Sequence, residues 1–242
     1  MKIHPPYPDY PYFRECLPLE SIEYAVDCSI LAYETPDYIK KVMQFSAMDV
    51  EVITTPWFQC FVCHKDGMWL VSFRGTLGIF DWMDDLVLKK TPEGFHQGFY
   101  DALEDLLPQL KTLVAGKDVI LTGHSLGAAM AAMAVYFLQG TCNPLSIVNF
   151  GQPKIGDQRA VDRLKGVPWI RYVHGTDIVT QVPWKIMGYV YGGAEVQLPQ
   201  TPRPWLHIFS REKPYFFPLS LWDHVPTLYA EAIWKGDHEE KL

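Results

Sequence analysis

Ser125 is the residue around which chemistry can be built. Val119-Ile120-Leu121-Thr122 leads into Gly123-His124-Ser125-Leu126-Gly127, and Ala128-Ala129-Met130 follows. An apolar β-branched run, a tight turn and a small-residue helix form the context of a nucleophile elbow. In that turn the serine sits at the tip in a strained conformation with its hydroxyl presented. Gly123 and Gly127 flank it because a Cβ at either position would meet the adjoining strand or helix. The first N–H groups of the new helix lack intrahelical partners and point at whatever reacts there.

A serine nucleophile needs a base, and the base needs a group to orient it. On a strand–elbow–helix scaffold the chain order is serine, then acid, then histidine. The acids after Ser125 are Asp157, Asp162, Asp177, Asp223 and, less suitably placed, Glu195. Asp177 alone closely follows an apolar strand pattern, Trp169-Ile170-Arg171-Tyr172-Val173, so it belongs at the carboxyl edge where Ser125 also emerges. The histidines are His174, His207, His224 and His238. His174 is too close in sequence to Asp177 and is expected to pack or bond within its own turn. His207 lies in an irregular apolar stretch and His238 in a charged tail. His224 opens the last helical pattern and can swing back over the sheet edge, so it is the expected base. The developing oxyanion calls for two donors. The N–H of Leu126 is one, and Thr76, after the strand Val71-Ser72-Phe73 and Arg74-Gly75, can offer its N–H and hydroxyl as the other.

Cys60-Phe61-Val62-Cys63-His64 has the spacing of a haem-attachment or half-zinc motif. It sits inside an apolar strand pattern followed by the turn Lys65-Asp66-Gly67, and no second cysteine pair accompanies it. It is read as a strand rather than as a haem or zinc site.

The elements that must position these groups follow from periodicity. Helices are expected over Ser21–Tyr33 and Pro36–Phe45, and strands over Asp49–Ile53, Trp57–His64 and Met68–Phe73. Gly98–Ala115 reads as a helix kinked by Pro108. The strand into Ser125, a helix to Leu138 and a strand over Leu145–Phe150 come next. A short helix over Asp157–Leu164, strands over Trp169–Val173 and Tyr189–Leu198, and a last helix over His224–Trp234 complete the set. Alternating strands and helices imply one α/β domain over residues 1–242, with a mostly parallel sheet wound with helices on both faces.

Between Thr76 and the next helix, Ile79, Trp82, Met83 and Leu86 recur at i, i+3, i+4 and i+7, with Asp81, Asp84 and Asp85 off that stripe. A short amphipathic helix over about 77–88 would ordinarily pack on the core, but because it leaves directly from the oxyanion residue it is expected to act as a lid. Its apolar stripe would cover Ser125 when closed and meet an oily surface when open.

Composition narrows the rest. The 242 residues are 48% hydrophobic and 20% charged, which is enough apolar material for one sizeable ordered core. A net charge of −7 argues against nucleic acid as a partner. The apolar run Leu126–Leu138 is too short to cross a bilayer, so no transmembrane segment is expected. Five cysteines without framework spacing, and an N-terminus without an apolar leader core, predict reduced thiols in a cytoplasmic setting.

Taken together the pieces resemble the class 3 lipase family of α/β-hydrolases, related to filamentous-fungal triacylglycerol lipases. The resemblance is carried by Phe73-Arg74-Gly75-Thr76, Asp81-Trp82-Met83-Asp84-Asp85-Leu86, His96-Gln97-Gly98-Phe99, Gly123–Ala129, Phe150–Gly156, Asp177-Ile178-Val179 with Pro183, Gly193–Val196 and Asp223-His224. They run in the family's order across about residues 20–230. The resemblance implies an α/β-hydrolase fold and a triad of Ser125, Asp177 and His224. It implies Thr76 and Leu126 as the oxyanion hole, an ester or lipid substrate met at a lipid–water interface, and no cofactor. It also implies that residues 184–222 shape the acyl site. A soluble carboxylesterase, for instance on feruloyl esters, and a non-catalytic interaction module on the same fold are the competing readings. Labelling of Ser125 by a fluorophosphonate separates the enzymes from the module.

Overall fold

Period-two alternation sends successive apolar side chains of each strand to opposite faces of one seven-stranded sheet. The computed structural model describes residues 21–45, 48–76, 89–201 and 219–235. Its strands are β1 (Asp49–Thr54), β2 (Gln59–Lys65), β3 (Met68–Phe73), β4 (Asp118–His124), β5 (Asn143–Phe150), β6 (Trp169–His174) and β7 (Ala194–Leu198). They lie side by side in chain order. β1, β2 and β3 are joined antiparallel, and β3 through β7 run parallel.

The alternation is visible in β4, where Val119 and Leu121 enter one core and Ile120 enters the other. Because the parallel strands advance in one direction, right-handed crossovers deliver their helices to a single face. These helices are α3 (Gln97–Glu104), α4 (Leu107–Val114), α5 (Leu126–Leu138) and α6 (Gln158–Asp162), and all four contribute to one core with β3 and β4. The opposite face is covered by the ends of the chain: α1 (Ile22–Leu31), α2 (Pro36–Phe45) and α8 (Pro226–Lys235). Between β7 and α8 the short α7 (Leu219–Trp222) is described. The fold is the expected α/β arrangement with helices on both faces.

α5 is apolar almost all round and nearly every residue in it is buried, as a helix sandwiched between a sheet and a second helix layer must be. It packs against β3, β4, β5 and α3. α1 begins at Ser21, whose hydroxyl accepts from the Tyr24 N–H at 3.1 Å and so closes its first turn.

Two elements differ from expectation. The helix expected over Gly98–Ala115 is two helices, α3 ending at Glu104 and α4 starting at Leu107 with Pro108 in its first turn. Pro108 has no N–H to give the Glu104 carbonyl, so the break falls where that hydrogen bond would have been. The strand expected over Tyr189–Leu198 begins only at Ala194. Gly192 and Gly193 lie so close to Trp169 that a Cβ on either would stand 2.1 or 2.6 Å from its ring, and this close packing precedes the pairing with β6.

Candidate active site

The elbow forms as its residue types require. β4 ends at His124, α5 begins at Leu126, and Ser125 between them has φ +60° and ψ −128°. A non-glycine residue holds such a conformation only when its surroundings dictate it. Those surroundings are identifiable. The Ser125 N–H donates to the Phe150 carbonyl of β5 at 3.0 Å. A Cβ on Gly123 would lie 2.4 Å from the Gly127 carbonyl carbon, and one on Gly127 would lie 2.1 Å from the Phe73 oxygen of β3. The two glycines therefore let strand, helix and neighbouring strand close on the serine.

Thr76 lies just beyond β3, in a loop that hugs the elbow. A Cβ on Gly75 would stand 2.6 Å from the His124 oxygen, and Phe73 pairs in register with Gly123. Thr76 is half-buried, and Leu126, at the first position of α5, is buried. Both proposed oxyanion residues are thus on backbone that borders Ser125, and the N–H of a first-turn residue has no intrahelical acceptor.

Asp177 follows β6 and is 1% exposed, so its charge is held almost wholly out of water. Its Oδ1 accepts from the Val179 N–H at 2.9 Å. Its Oδ2 lies 2.7 Å from Nδ1 of His224. An ionised carboxylate only accepts, so Nδ1 carries the proton and Nε2 is the free, basic nitrogen. Among the described residues neither His224 Nε2 nor Ser125 Oγ has a hydrogen-bond partner, although both are buried. The His224 ring lies tilted against that of His124, the residue next to Ser125, with centroids 4.6 Å apart. Of the other candidate acids, Asp157 caps α6 and pairs with Arg159, Asp162 pairs with Lys165, and Glu195 pairs with Arg171.

Several supporting residues were not evident from sequence. The Tyr229 hydroxyl on α8 donates to the same Asp177 oxygen at 2.5 Å, and burial followed by the Asp177 charge pushes its phenol well above the ordinary range, so it stays a donor. Gly151 follows β5 with φ +58°, and a Cβ there would stand 3.0 Å from the His224 ring and 3.1 Å from Asp177 Oδ2. Asp223 is fully buried and accepts from both the N–H and the hydroxyl of Thr176 at 2.8 Å. It ties the turn that carries Asp177 to the residue beside His224. His174 bonds within its own turn through its backbone, whose carbonyl accepts the Asp177 N–H at 3.1 Å, while its ring reaches outside the turn: Nδ1 meets the Asp223 carbonyl at 3.1 Å and Nε2 meets Thr201. His124 is held neutral, its titration driven far down by burial and then by His224, while Tyr33 meets its Nδ1 at 2.9 Å. The sequence signal for these residues is weak, since buried aromatics and glycines after strands are ordinary core features.

The amphipathic stretch with Ile79, Trp82, Met83 and Leu86 lies outside the described residues, as do His207 and His238. So does the part of 184–222 from residue 202 to 218. Cys60 and Cys63 face opposite cores, and His64 stacks on Trp69 with ring centroids 4.3 Å apart, so the three do not converge on one point. Among the described residues no cluster of three His, Cys, Asp or Glu is arranged to hold a metal ion. None of the described helices is long and apolar enough to cross a membrane.

The family model for lipase (class 3) matches residues 70–187. Secreted mono- and diacylglycerol lipase 1 of Fusarium solani is 28% identical over 149 residues, covering 55% of this chain and 44% of that protein. Secreted mono- and diacylglycerol lipase A of Penicillium cyclopium is 27% identical over 149 residues, covering 55% of this chain and 49% of that protein. The matches thus span just under half the length of these relatives. The crystal structure of a lipase from Rhizopus microsporus var. chinensis superposes with a TM-score of 0.59 and 26% identity, covering 75% of this chain and 74% of that one. The cytoplasmic setting expected from the sequence is overturned by these relatives, whose names describe secreted enzymes. That expectation leaned on unpaired cysteines, but Cys28, Cys60 and Cys63 are free thiols sealed in the core, where they serve as small apolar residues in any compartment.

Proposed function

Because the match over residues 70–187 and the shared fold place the chain in the class 3 lipase family, we propose that it hydrolyses acylglycerol esters through an acyl-enzyme on Ser125. The observation that carries this reading is the backbone of Ser125, φ +60° and ψ −128°, beside a buried His224–Asp177 pair. A strained serine at a strand–helix turn has no role in packing, whereas it presents a hydroxyl to a substrate carbonyl.

Ser125 Oγ attacks the carbonyl carbon while His224 Nε2 takes its proton. Asp177 holds the imidazole by Nδ1 and stabilises the imidazolium that forms. The carbonyl oxygen becomes an oxyanion and receives the N–H of Leu126 and the donors of Thr76. Collapse expels the alcohol, which takes the proton from His224. Water then attacks the acyl-enzyme with His224 again as base, releasing the acid and restoring Ser125.

Acylglycerols are favoured as substrates because the Fusarium and Penicillium relatives are named mono- and diacylglycerol lipases. Labelling with a fluorophosphonate, compared between wild type and Ser125→Ala, tests the nucleophile. A panel of mono-, di- and triacylglycerols, phospholipids and feruloyl esters tests the substrate. Labelling that persists in Ser125→Ala overturns the assignment. A clear preference for feruloyl or other water-soluble esters replaces the lipase reading with that of a soluble esterase.

A further inference from the structure

Ten residues beyond Asp177, the chain makes a short turn that leaves its apolar side chains in water. Ile186 is 93% exposed, Trp184 47% and Met187 39%, while most other large apolar side chains are in the cores. Trp184 immediately precedes, and Ile186 and Met187 lie within, a single 3₁₀ turn, Lys185–Met187, closed by Gly188 at φ +76°. The turn is tethered by one lysine. Lys90 Nζ donates to the carbonyls of Met187 and Gly188 at 3.1 and 3.3 Å and lies 4.6 Å from the centre of the Tyr189 ring. On the other side of the site, Trp57 is 75% exposed, and its carbonyl accepts from Arg74 in the loop that leads to Thr76.

Charge at this turn runs against the rest of the molecule. The chain carries −7, yet Lys185 is the only charged residue between Asp177 and Glu195. A projection bearing tryptophan, isoleucine and methionine around one lysine suits an interface between water and hydrocarbon. Tryptophan prefers the headgroup level, branched and thioether side chains enter the acyl region, and lysine reaches back to the phosphates. A single turn offers no groove and no strand edge for a partner protein to fill.

We propose that Trp184, Ile186 and Met187, with Lys185, form a docking wedge for an anionic lipid surface, and that it holds the carboxyl edge of the sheet against that surface. The inference deepens the proposed function and rests on Ser125 acting on lipid esters there. Docking at this turn brings Asp177 and the elbow to the same lipid that supplies the substrate.

The test is co-sedimentation of the full chain with vesicles of phosphatidylcholine, with and without roughly a third of phosphatidylglycerol, using wild type, Ile186→Glu and Lys185→Glu. The wild type should bind the anionic vesicles more strongly than the neutral ones, with binding weakened by salt. Ile186→Glu should lower partition to both vesicle types at least about tenfold. Lys185→Glu should remove the preference for anionic vesicles, with about a tenfold loss there and little change on the neutral ones. Both side chains lie at the surface, and thermal melting of each variant at the wild-type temperature excludes misfolding. Equal vesicle binding by wild type and Ile186→Glu overturns the wedge. So does a wild type that ignores vesicles, or an Ile186→Glu effect seen only as loss of self-association. Hydrolysis of a water-soluble short-chain ester by the wild type reports on Ser125 separately. If that hydrolysis is absent while docking behaves as expected, the catalytic reading fails, and with it the role of the turn in bringing Ser125 to its substrate; if hydrolysis is present and docking is not, the wedge alone fails.

Discussion

Tyr229 and His224 meet on one oxygen: Asp177 Oδ2 lies 2.7 Å from His224 Nδ1 and accepts the Tyr229 hydroxyl at 2.5 Å. Both groups come from the C-terminal segment, so packing of α8 against the sheet and orientation of the imidazole are one event. The buried carboxylate also accepts from Val179. Three donors on one buried carboxylate fix its orientation towards the imidazole.

Tyr229→Phe should therefore lower kcat about tenfold and leave KM nearly unchanged, because the substrate does not touch the phenol. Loss of one hydrogen bond to a charged group costs about 1–3 kcal/mol of stability, so the variant should still fold. Steady-state kinetics beside a thermal melt makes the comparison. A wild-type kcat in a stable Tyr229→Phe would show that His224 and Val179 suffice to set the carboxylate.

The members of the proposed triad should not be equivalent. Ser125→Ala removes the bond-forming atom and should cost about 10⁴–10⁶-fold in kcat. His224→Ala should be nearly as severe. Asp177→Asn keeps the shape but offers an amide where Nδ1–H expects an acceptor, so a loss of about 10³–10⁴-fold is expected. Soluble-ester kinetics on the three variants gives the ranking, and a His224→Ala enzyme with near wild-type kcat would return the search for a base to the remaining histidines.

The elbow was legible in sequence because its residue types have few other uses: two glycines bracketing a serine, after β-branched residues and before alanines. Asp177 and His224 were legible through order along the chain and through strand ends, both of which follow from topology. Tyr229 and Gly151 were not. A tyrosine on the apolar side of α8 has the pattern of ordinary core, and only the fold reveals that its hydroxyl reaches Asp177. The two-helix break at Glu104 was half legible, since Pro108 signals a disruption four residues after the carbonyl it deprives but not whether the helix bends or ends. Strand order was out of reach: alternation predicts a parallel sheet, while the placement of crossover helices on one face depends on which neighbour each strand chooses.

Gly127→Ala tests the close packing of the elbow directly. The added methyl would stand 2.1 Å from the Phe73 oxygen, an atom fixed by the sheet. Relief requires separating α5 from β3, so a loss of several kcal/mol, or failure to fold, is expected. Gly140→Ala is the control: that glycine has open space, and its φ of +74° alone should cost about 1 kcal/mol. Denaturant midpoints of the two variants make the comparison, and equal midpoints would remove the packing argument for Gly127.

Acid should destabilise the fold through histidines that it keeps neutral. His96 is 1% exposed and caps α3, its Nδ1 accepting the Phe99 N–H at 3.3 Å. A proton on Nδ1 would set two donors against each other, and burial moves the titration from 6.5 down to about 4. The folded state therefore resists a proton that the unfolded chain accepts. In that window the unfolded state binds more protons, so stability rises with pH and is lost as pH falls from 6.5 towards 4, by up to about 3 kcal/mol. His124 acts in the same direction, its titration lowered first by burial and then by His224. His96→Asn keeps an accepting cap without a titrating ring. Urea midpoints measured from pH 7 to pH 4 should fall steeply for the wild type and less steeply for His96→Asn, with the remaining slope including the contribution of His124. Parallel curves for the two proteins would show that His96 takes up its proton without disturbing α3.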